Sequence, residues 1–201
     1  MRKKLLIAIP TLDYIHYRFV ECLTNLTKYL SERNVDYDVC FEGGTLVYIS
    51  RDNLAKKAIN GKYERVLWLD ADMIFDTNVY DMLLNTGKDF ISAQYRGRHG
   101  KCLPCEFEHL IPPIRSTEFK KGIYRIEGCG FGCVLIKTDI LKNVKECYDT
   151  CFAPNENMGE DLMFCKRAIE LGNEIWGTDL IQAGHITQRI IRPKSELDEN
   201  V

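Results

Sequence analysis

The feature that most constrains this chain is an unbroken apolar run, Val66 to Leu69, that leads directly into Asp70 and Asp72. Such a run is typical of a strand covered on both faces, as in a parallel α/β sheet. Ligands of open α/β sheets bind outside the carboxyl ends of the strands, where this acidic pair would stand. Residues i and i+2 of an extended chain point the same way, so both carboxylates could face one hard cation such as Mg²⁺ or Mn²⁺. A helix cap or a turn at the strand end is the alternative interpretation of the same pair.

The size and charge of the chain narrow the class of protein. A length of 201 residues predicts a single domain with a substantial core. The formal net charge of -2 gives no electrostatic argument for binding nucleic acid or an anionic membrane. No apolar stretch approaches the length of a membrane span, and Pro10 interrupts the apolar run 5–9. We therefore expect a first strand rather than a signal peptide, no membrane span, and a cytoplasmic location.

Nine cysteines are many for this length, and the odd number favours free thiols over a disulfide scaffold. A structural zinc site is the alternative, because several cysteines fall in pairs. The spacing between the pairs is loose, so we expect most of these thiols to be small buried side chains. The pairs are Cys102/Cys105, Cys129/Cys133 and Cys147/Cys151.

Hydrophobic periodicity predicts alternating strands and helices over the first half of the chain. The order β-α-β-α-β-α-β indicates a parallel sheet with right-handed crossovers. The predicted strands are 5–9, 37–41, 65–69 and 90–94, and the helices follow apolar positions within 19–30, 47–58 and 79–84.

The second half of the chain is less regular. The segment 95–122 loses its periodicity, which predicts loops and edge strands lying over a substrate. A loose polar tail is expected from Pro193 onward. Between these segments we expect strands at 124–126 and 133–136, a helix at 160–171 and a short strand at 174–176.

Three alternating glycines, Gly128, Gly130 and Gly132, precede the strand at 133–136. They do not form a dinucleotide-binding loop, because that loop leads into a helix. A tight β-turn is the favoured interpretation, and a floor that leaves room for a ligand is the alternative. The chain also lacks the G-x-x-x-x-G-K-[ST] pattern, which excludes a P-loop ATPase.

Five polar residues outside the acidic pair are candidates for a site. Glu160 and Asp161 open a helix, where acidic residues act as partners of the helix dipole or as a general base. His185 is either a surface residue or a third ligand of a cation. Arg51 and Asn53 are either solvated helix residues or, beside a strand-end cleft, groups suited to phosphate.

Taken in order, these motifs resemble those of GT-A fold glycosyltransferases of the family 2-like kind, from about Leu5 to His185. The resemblance implies a single-domain, Rossmann-like GT-A sandwich over residues 1–192 and a flexible tail at 193–201. Such a domain has a mostly parallel central sheet with helices on both faces. The resemblance rests on Ile9-Pro10-Thr11, Ser50-Arg51-Asp52-Asn53, Leu67-Trp68-Leu69-Asp70-Ala71-Asp72, Gly128-Cys129-Gly130-Phe131-Gly132, Gly159-Glu160-Asp161 and Gly184-His185.

The resemblance also implies how such a site would bind its donor. The activity would be metal-dependent transfer of a sugar from a nucleoside-diphosphate sugar, first of all a UDP-sugar, to an acceptor hydroxyl. Pro10, Thr11 and Asp13 would line the nucleoside pocket. Arg51 would assist at the phosphates or the nucleoside, with Asn53 beside it on the same helix.

The metal and the base have implied residues of their own. Asp70 and Asp72 would hold Mn²⁺ or Mg²⁺ on the diphosphate, and His185 would complete the metal shell. For an inverting reaction Asp161 would be the base that deprotonates the acceptor, with Glu160 second.

Several questions about partners stay open at this point. The acceptor is a carbohydrate, a lipid or a protein, and the chain could form an oligomer. A sugar nucleotidyltransferase is the nearest rival, although 10–14 lacks the glycine and the basic residue that would grip a triphosphate. A non-catalytic nucleotide- or carbohydrate-binding module on the same fold is the other alternative.

Overall fold

The computed structural model describes residues 4–12, 14–97, 103–181 and 183–187. The expected tail at 193–201, and with it Asp13 and Cys102, therefore lies outside the described residues. Twelve strands occur in the described part of the chain. They are β1 Lys4–Pro10, β2 Asp36–Glu42, β3 Arg65–Leu69, β4 Met73–Phe75, β5 Phe90–Ala93, β6 Glu106–Leu110, β7 Pro113–Arg115, β8 Ile123–Ile126, β9 Gly128–Cys129, β10 Cys133–Lys137, β11 Ile175–Thr178 and β12 Ala183–His185.

Seven of these strands form a central sheet in the order β2-β1-β3-β10-β5-β11-β8. Strands β2, β1 and β3 run parallel, and β11 runs parallel to β5. Only β10 and β8 run against their neighbours. The sheet is therefore mixed but mostly parallel, as the sequence predicts.

Within the described residues, five helices cover both faces of this sheet. Alternate residues of β1 and β3 point to opposite faces, so each strand contributes to two apolar clusters. One cluster packs against α1 and α3, and the other packs against α2, α4 and α5. This two-sided burial explains why the run Val66 to Leu69 contains no polar residue. The helices are α1 Tyr17–Glu32, α2 Val47–Asn60, α3 Val79–Leu84, α4 Thr138–Tyr148 and α5 Glu160–Glu170.

The position of β10 and the presence of α4 both differ from the prediction. Strand β10 lies between β3 and β5 and pairs antiparallel with both, so the fourth predicted strand is not a neighbour of the third. Helix α4 was not predicted. It begins at Thr138 directly after β10, and no glycine or proline marks the change from strand to helix.

Two small sheets accompany the large one. Strand β4 follows the acidic pair and pairs antiparallel with β12, which places His185 opposite Met73. In the segment expected to be loops and edge strands, β6 and β7 form a three-stranded sheet with β9. No helix in the described part of the chain has both the length and the apolar character that a membrane span requires.

Candidate functional site

A large cleft runs along the carboxyl edge of the central sheet. Its volume is about 1580 Å³, and the ends of four parallel strands contribute to its lining. Pro10 ends β1, and Asp70, Gln94 and Asp179 directly follow β3, β5 and β11. This is the edge at which open α/β sheets bind their ligands.

Asp70 and Asp72 both line this cleft. The Asp70 amide donates to the Gly132 carbonyl at 3.1 Å, which fixes the backbone directly after β3. The Asp72 carbonyl accepts from Ile186 N at 2.7 Å, just after β12. The β4–β12 ladder therefore brings His185 beside the acidic pair although 113 positions separate His185 from Asp72 in the chain.

Arg51 lies between three carboxylates, and only 3% of its side chain is exposed. One guanidinium nitrogen donates to Asp70 Oδ1 at 2.9 Å, and the other pairs with Glu160 at 3.5 Å and with Asp161. The ring of Phe131 lies 5.4 Å below the guanidinium carbon. The structure thus places Arg51 as a bridge between the acidic pair and the start of α5, in addition to lining the cleft.

The base candidates sit on the first turn of α5. Asp161 accepts from Phe131 N at 3.3 Å through its second oxygen, so its orientation is fixed from two sides. Glu160 pairs only with Arg51 among the interactions of the described residues. Both side chains are about one quarter exposed and line the cleft, which gives a ligand access to them.

The tautomer of His185 follows from its partner. Its Nδ1 lies 2.6 Å from the Arg96 carbonyl oxygen, which can only accept, so Nδ1 carries the proton. The ring packs edge-on against Tyr95 at 5.0 Å between centroids. In the neutral ring the lone pair is then on Nε2, as in metal-binding histidines that donate their other N–H to a carbonyl.

Whether these residues fit a divalent cation can be judged from their spacing. In the described ranges, no three His, Cys, Asp or Glu side chains are close enough together to hold a metal ion. A closed protein cage is therefore not formed by Asp70, Asp72 and His185. The oxygen-rich donor set does fit Mg²⁺ or Mn²⁺ bound by one or two carboxylates together with substrate phosphates, which is the usual arrangement for Mg²⁺.

The remaining predicted donor residues separate into two groups. Pro10 and Thr11 line the cleft at the end of β1. Asn53 is not among the lining residues, and its amide donates to Glu42 Oε1, at the end of β2, at 3.0 Å. The Asp52 carboxylate, from the same motif, accepts hydrogen bonds from the backbone N–H groups of Cys151 and Phe152. These bonds connect α2 to the segment before α5.

Two of the alternating glycines, Gly130 and Gly132, make room for the Tyr95 side chain rather than for a ligand. A Cβ on Gly130 would meet the Tyr95 hydroxyl at 2.5 Å, and one on Gly132 would meet the Tyr95 ring at 2.9 Å. Gly132 N donates to that hydroxyl at 2.9 Å. Burial raises the pKa of Tyr95 well above its usual value, so the phenol stays protonated. Gly128 is part of β9 rather than of a turn.

The cysteines give no support for zinc within the described ranges. All cysteines except Cys102 are described, and each of them is a free thiol. Burial raises the pKa of the Cys133 thiol to about 12. Cys129 and Cys165 pack inside the apolar core, as expected for small buried side chains.

The cleft lining includes residues to which the sequence assigned no individual role, among them Gln94, Asp179 and, from the segment 95–122, Tyr95, Arg96 and Phe119. A signal existed for two of them, because Gln94 and Asp179 follow buried strands in the same way as Asp70. The Arg96 guanidinium stacks over the Phe119 ring at 4.4 Å, a contact between two loops that no local pattern reveals.

A buried carboxylate, Glu106, lies behind the cleft and is only 1% exposed. It accepts from the Tyr124 hydroxyl at 2.9 Å and from Gln94 Nε2 at 3.4 Å. Burial raises the pKa of Glu106, and the hydrogen bonds from Tyr124 and Gln94 oppose part of that rise. No lysine or arginine of the described residues forms an ion pair with it.

The raised pKa of Glu106 predicts how stability depends on pH. The native state holds the Glu106 proton more tightly than the unfolded state, so stability due to this group falls as pH rises above its ordinary pKa of 4.5. Glu106→Gln removes this titration. We expect the stability of the wild type relative to Glu106→Gln to decrease from pH 4.5 upward, measured by urea unfolding.

Glu108, exposed on the same strand, provides the control for that measurement. The Glu108→Gln variant should not reproduce this falling pH dependence. A stability difference between the wild type and Glu106→Gln that rises with pH would contradict the assignment.

Comparison with known proteins identifies the fold. No family model matches the chain, and no curated protein matches it in sequence. The crystal structure of A197 from STIV matches with a TM-score of 0.63 at 17% identity, over 98% of this chain and 100% of that chain.

Two enzymes also match in structure. GalNAc-T7, solved with UDP, GalNAc and Mn²⁺, has a TM-score of 0.57 at 13% identity, covering 93% of this chain and 43% of that one. Apo UDP-glucose pyrophosphorylase has a TM-score of 0.51 at 11% identity, covering 89% of this chain and 90% of that one. These similarities show a GT-A-like α/β fold, which the sequence motifs predicted.

Proposed function

We propose that this protein is a metal-dependent glycosyltransferase that moves a sugar from a nucleoside-diphosphate sugar, first of all a UDP-sugar, to an acceptor hydroxyl. One observation carries the proposal. Asp70 and Asp72 stand at the end of β3 in a large cleft that also contains Asp161 and Glu160. The structural similarity to GalNAc-T7, which was solved with UDP, GalNAc and Mn²⁺, supports the same proposal.

The charge of the cleft supports a requirement for a cation. Five carboxylates line it, and Arg51 and Arg96 are its only guanidinium groups among the described residues. Arg51 already pairs with three of those carboxylates. A divalent cation between the phosphates and these carboxylates would reduce the repulsion between the two negatively charged groups. The carboxylates are Asp70, Asp72, Glu160, Asp161 and Asp179.

Each residue then has a role in the proposed reaction. Asp70 and Asp72 hold the cation, with Nε2 of His185 available to it, and Pro10 and Thr11 contact the nucleoside. A cation held there would supply positive charge to offset the negative charge on a leaving diphosphate. 

The acceptor hydroxyl gives its proton to a carboxylate on α5. Asp161 is the proposed base, with Glu160 second, because both line the cleft on the first turn of the helix. Arg51 holds Asp161 and Asp70 in a fixed relation.

The similarity to UDP-glucose pyrophosphorylase keeps a sugar nucleotidyltransferase as the second candidate. Such an enzyme must bind a nucleoside triphosphate. The segment after β1 contains neither glycine nor lysine nor arginine before Arg18, which disfavours a triphosphate-gripping loop there. A preference for a nucleoside triphosphate over the diphosphate would favour this candidate.

Calorimetry with UDP, GDP, ADP and CDP, with and without Mn²⁺, tests the proposed function. We expect one diphosphate to bind at least about tenfold more tightly with Mn²⁺, because the cation and the phosphates complete one coordination shell. Asp72→Ala should abolish the Mn²⁺ dependence. Asp36→Ala removes an exposed carboxylate on β2, outside the lining of the cleft, and should change nothing.

The two possible failures have different meanings. Binding of no diphosphate in the presence of Mn²⁺ would contradict the proposed function as a whole. Mn²⁺-dependent binding without release of diphosphate from any sugar conjugate would instead indicate a binding module that keeps the fold without turnover.

A further inference from the structure

Gln94 occupies a position in the cleft that the proposed reaction does not yet use. It directly follows β5, lines the cleft and is 8% exposed. Its backbone N–H donates to the Thr178 carbonyl at 2.7 Å, which fixes the main chain. The side chain is therefore held at the edge of the sheet where the ligand is expected.

The hydrogen bonds of Gln94 determine which end of its amide faces inward. Its Nε2 lies 3.4 Å from Glu106 Oε2 and also contacts the Tyr124 hydroxyl oxygen. Tyr124 donates its own proton to Glu106 at 2.9 Å. The ionised form of Glu106 only accepts, so Gln94 directs its NH₂ group toward this pair. The carbonyl oxygen, Oε1, then receives no hydrogen bond from the described residues.

The protein makes room for this network. A Cβ on Gly177 would lie 2.8 Å from Glu106 Oε1 and 2.6 Å from the Tyr124 ring, so only glycine admits both side chains. Burying a carboxylate without a paired cation is costly, and the hydrogen bonds from Tyr124 and Gln94 offset only part of that cost. Together, these contacts hold the Gln94 amide in one orientation.

The order of strands indicates which part of a ligand reaches Gln94. Along the sheet the order is β1, β3, β10 and β5, and neighbouring strands lie about 4.8 Å apart. The end of β5 is thus roughly 10 Å from the end of β3, on the side away from β1. A nucleotide-sugar with its nucleoside at β1 and its diphosphate at Asp70 would extend its sugar toward Gln94.

We propose that Gln94 Oε1 accepts a hydrogen bond from a hydroxyl of the donor sugar, and that Glu106 and Tyr124 position the amide for it. This inference rests on the proposed function and adds a specificity-determining residue to it. An amide oxygen held in one orientation distinguishes a sugar with a hydroxyl at that position from one without it.

The test compares a diphosphate with its own sugar conjugates in the presence of Mn²⁺. The probes are UDP, UDP-glucose, UDP-galactose and UDP-N-acetylglucosamine, or GDP and GDP-mannose if GDP binds more tightly. Gln94→Met keeps the side-chain length but removes the acceptor. Glu106→Gln places an N–H opposite Gln94 and should turn its amide around.

We expect both variants to bind the preferred sugar conjugate about five- to tenfold more weakly, the effect of one neutral hydrogen bond. Binding of the free diphosphate should stay within twofold, because the proposed arrangement places the phosphates at Asp70, roughly 10 Å from the end of β5. Asn157→Met removes an exposed amide outside the lining of the cleft and serves as the control. Melting temperatures establish that each variant is folded.

The outcomes separate this inference from the function on which it rests. An unchanged affinity for the sugar conjugate in either variant overturns the proposal while leaving diphosphate binding intact. An equal loss for diphosphate and conjugate also overturns it, because Gln94 would then act on the cleft as a whole. If the wild type binds no diphosphate, the proposed function fails and this inference fails with it.

Discussion

Arg51→Met is expected to destabilise the protein by about 3 kcal/mol, because it leaves three partly buried carboxylates without their cation. Arg51 pairs with Asp70, Glu160 and Asp161 while only 3% of its own side chain is exposed. Each of these carboxylates is about one quarter exposed and can recover some water, which places the estimate at the lower end of the range for broken buried pairs. For a domain of this size the melting temperature should fall by roughly 6–12 °C.

Arg33→Met provides a matched comparison. Arg33 pairs with Asp81 at 2.8 Å, but 55% of its side chain is exposed. An exposed pair of this kind contributes about 0–1 kcal/mol, so the melting temperature should change by only a few degrees. Thermal unfolding of both variants, followed by circular dichroism, is the measurement. Equal shifts for the two variants would mean that Arg51 does not balance the acidic cluster.

Burial on both faces explains why much of the fold could be predicted from the sequence. The apolar face of α1 was predicted at Phe19, Leu23, Leu26 and Leu30, and all four side chains are buried. Strand β3 has the predicted bounds because every one of its side chains is covered. Local periodicity carries this information because each of these elements packs along its whole length against the sheet.

Pairing between distant segments explains what the sequence did not reveal. Periodicity identifies the strand at 133–136, but it contains no information about which strands become its neighbours, so the antiparallel insertion of β10 beside β3 does not follow from it. Strand β12 is only three residues long and is defined by its partner β4. Short elements of this kind depend on tertiary contacts that a local pattern does not contain.

In the candidate site, too, local patterns predict some residues, whereas others come together only through packing between distant segments. Asp70 and Asp72 were predictable because a strand places its following residues at the edge of the sheet. The bridge from Arg51 to Asp161 joins residues on two helices that are far apart in the chain, and its existence follows only from the packing of α2 and α5 on one face. The same holds for Gln94 and Glu106, whose partnership depends on two different sheets meeting behind the cleft.

Asp161→Asn is expected to reduce sugar transfer by about 10²- to 10⁴-fold, the usual contribution of a positioned general base. The amide keeps the shape of the carboxylate but cannot take a proton from the acceptor. Because the acceptor is not identified, the readout is release of diphosphate from the sugar conjugate with water as acceptor, in Mn²⁺. Diphosphate binding should change by no more than about threefold, because Asp70 and Asp72, rather than Asp161, hold the cation in the proposed site.

Glu160→Gln is the matched control, since it removes the neighbouring carboxylate on the same helical turn. We expect its rate to stay within about tenfold of the wild type, because Asp161 still accepts the proton. Equal losses of diphosphate binding and of turnover in Asp161→Asn would show that this residue only maintains the Arg51 bridge. A larger loss of turnover in Glu160→Gln than in Asp161→Asn would assign the base to Glu160. Glu160 pairs with Arg51 through one carboxylate oxygen, whereas Asp161 uses one oxygen for Arg51 and the other for Phe131 N.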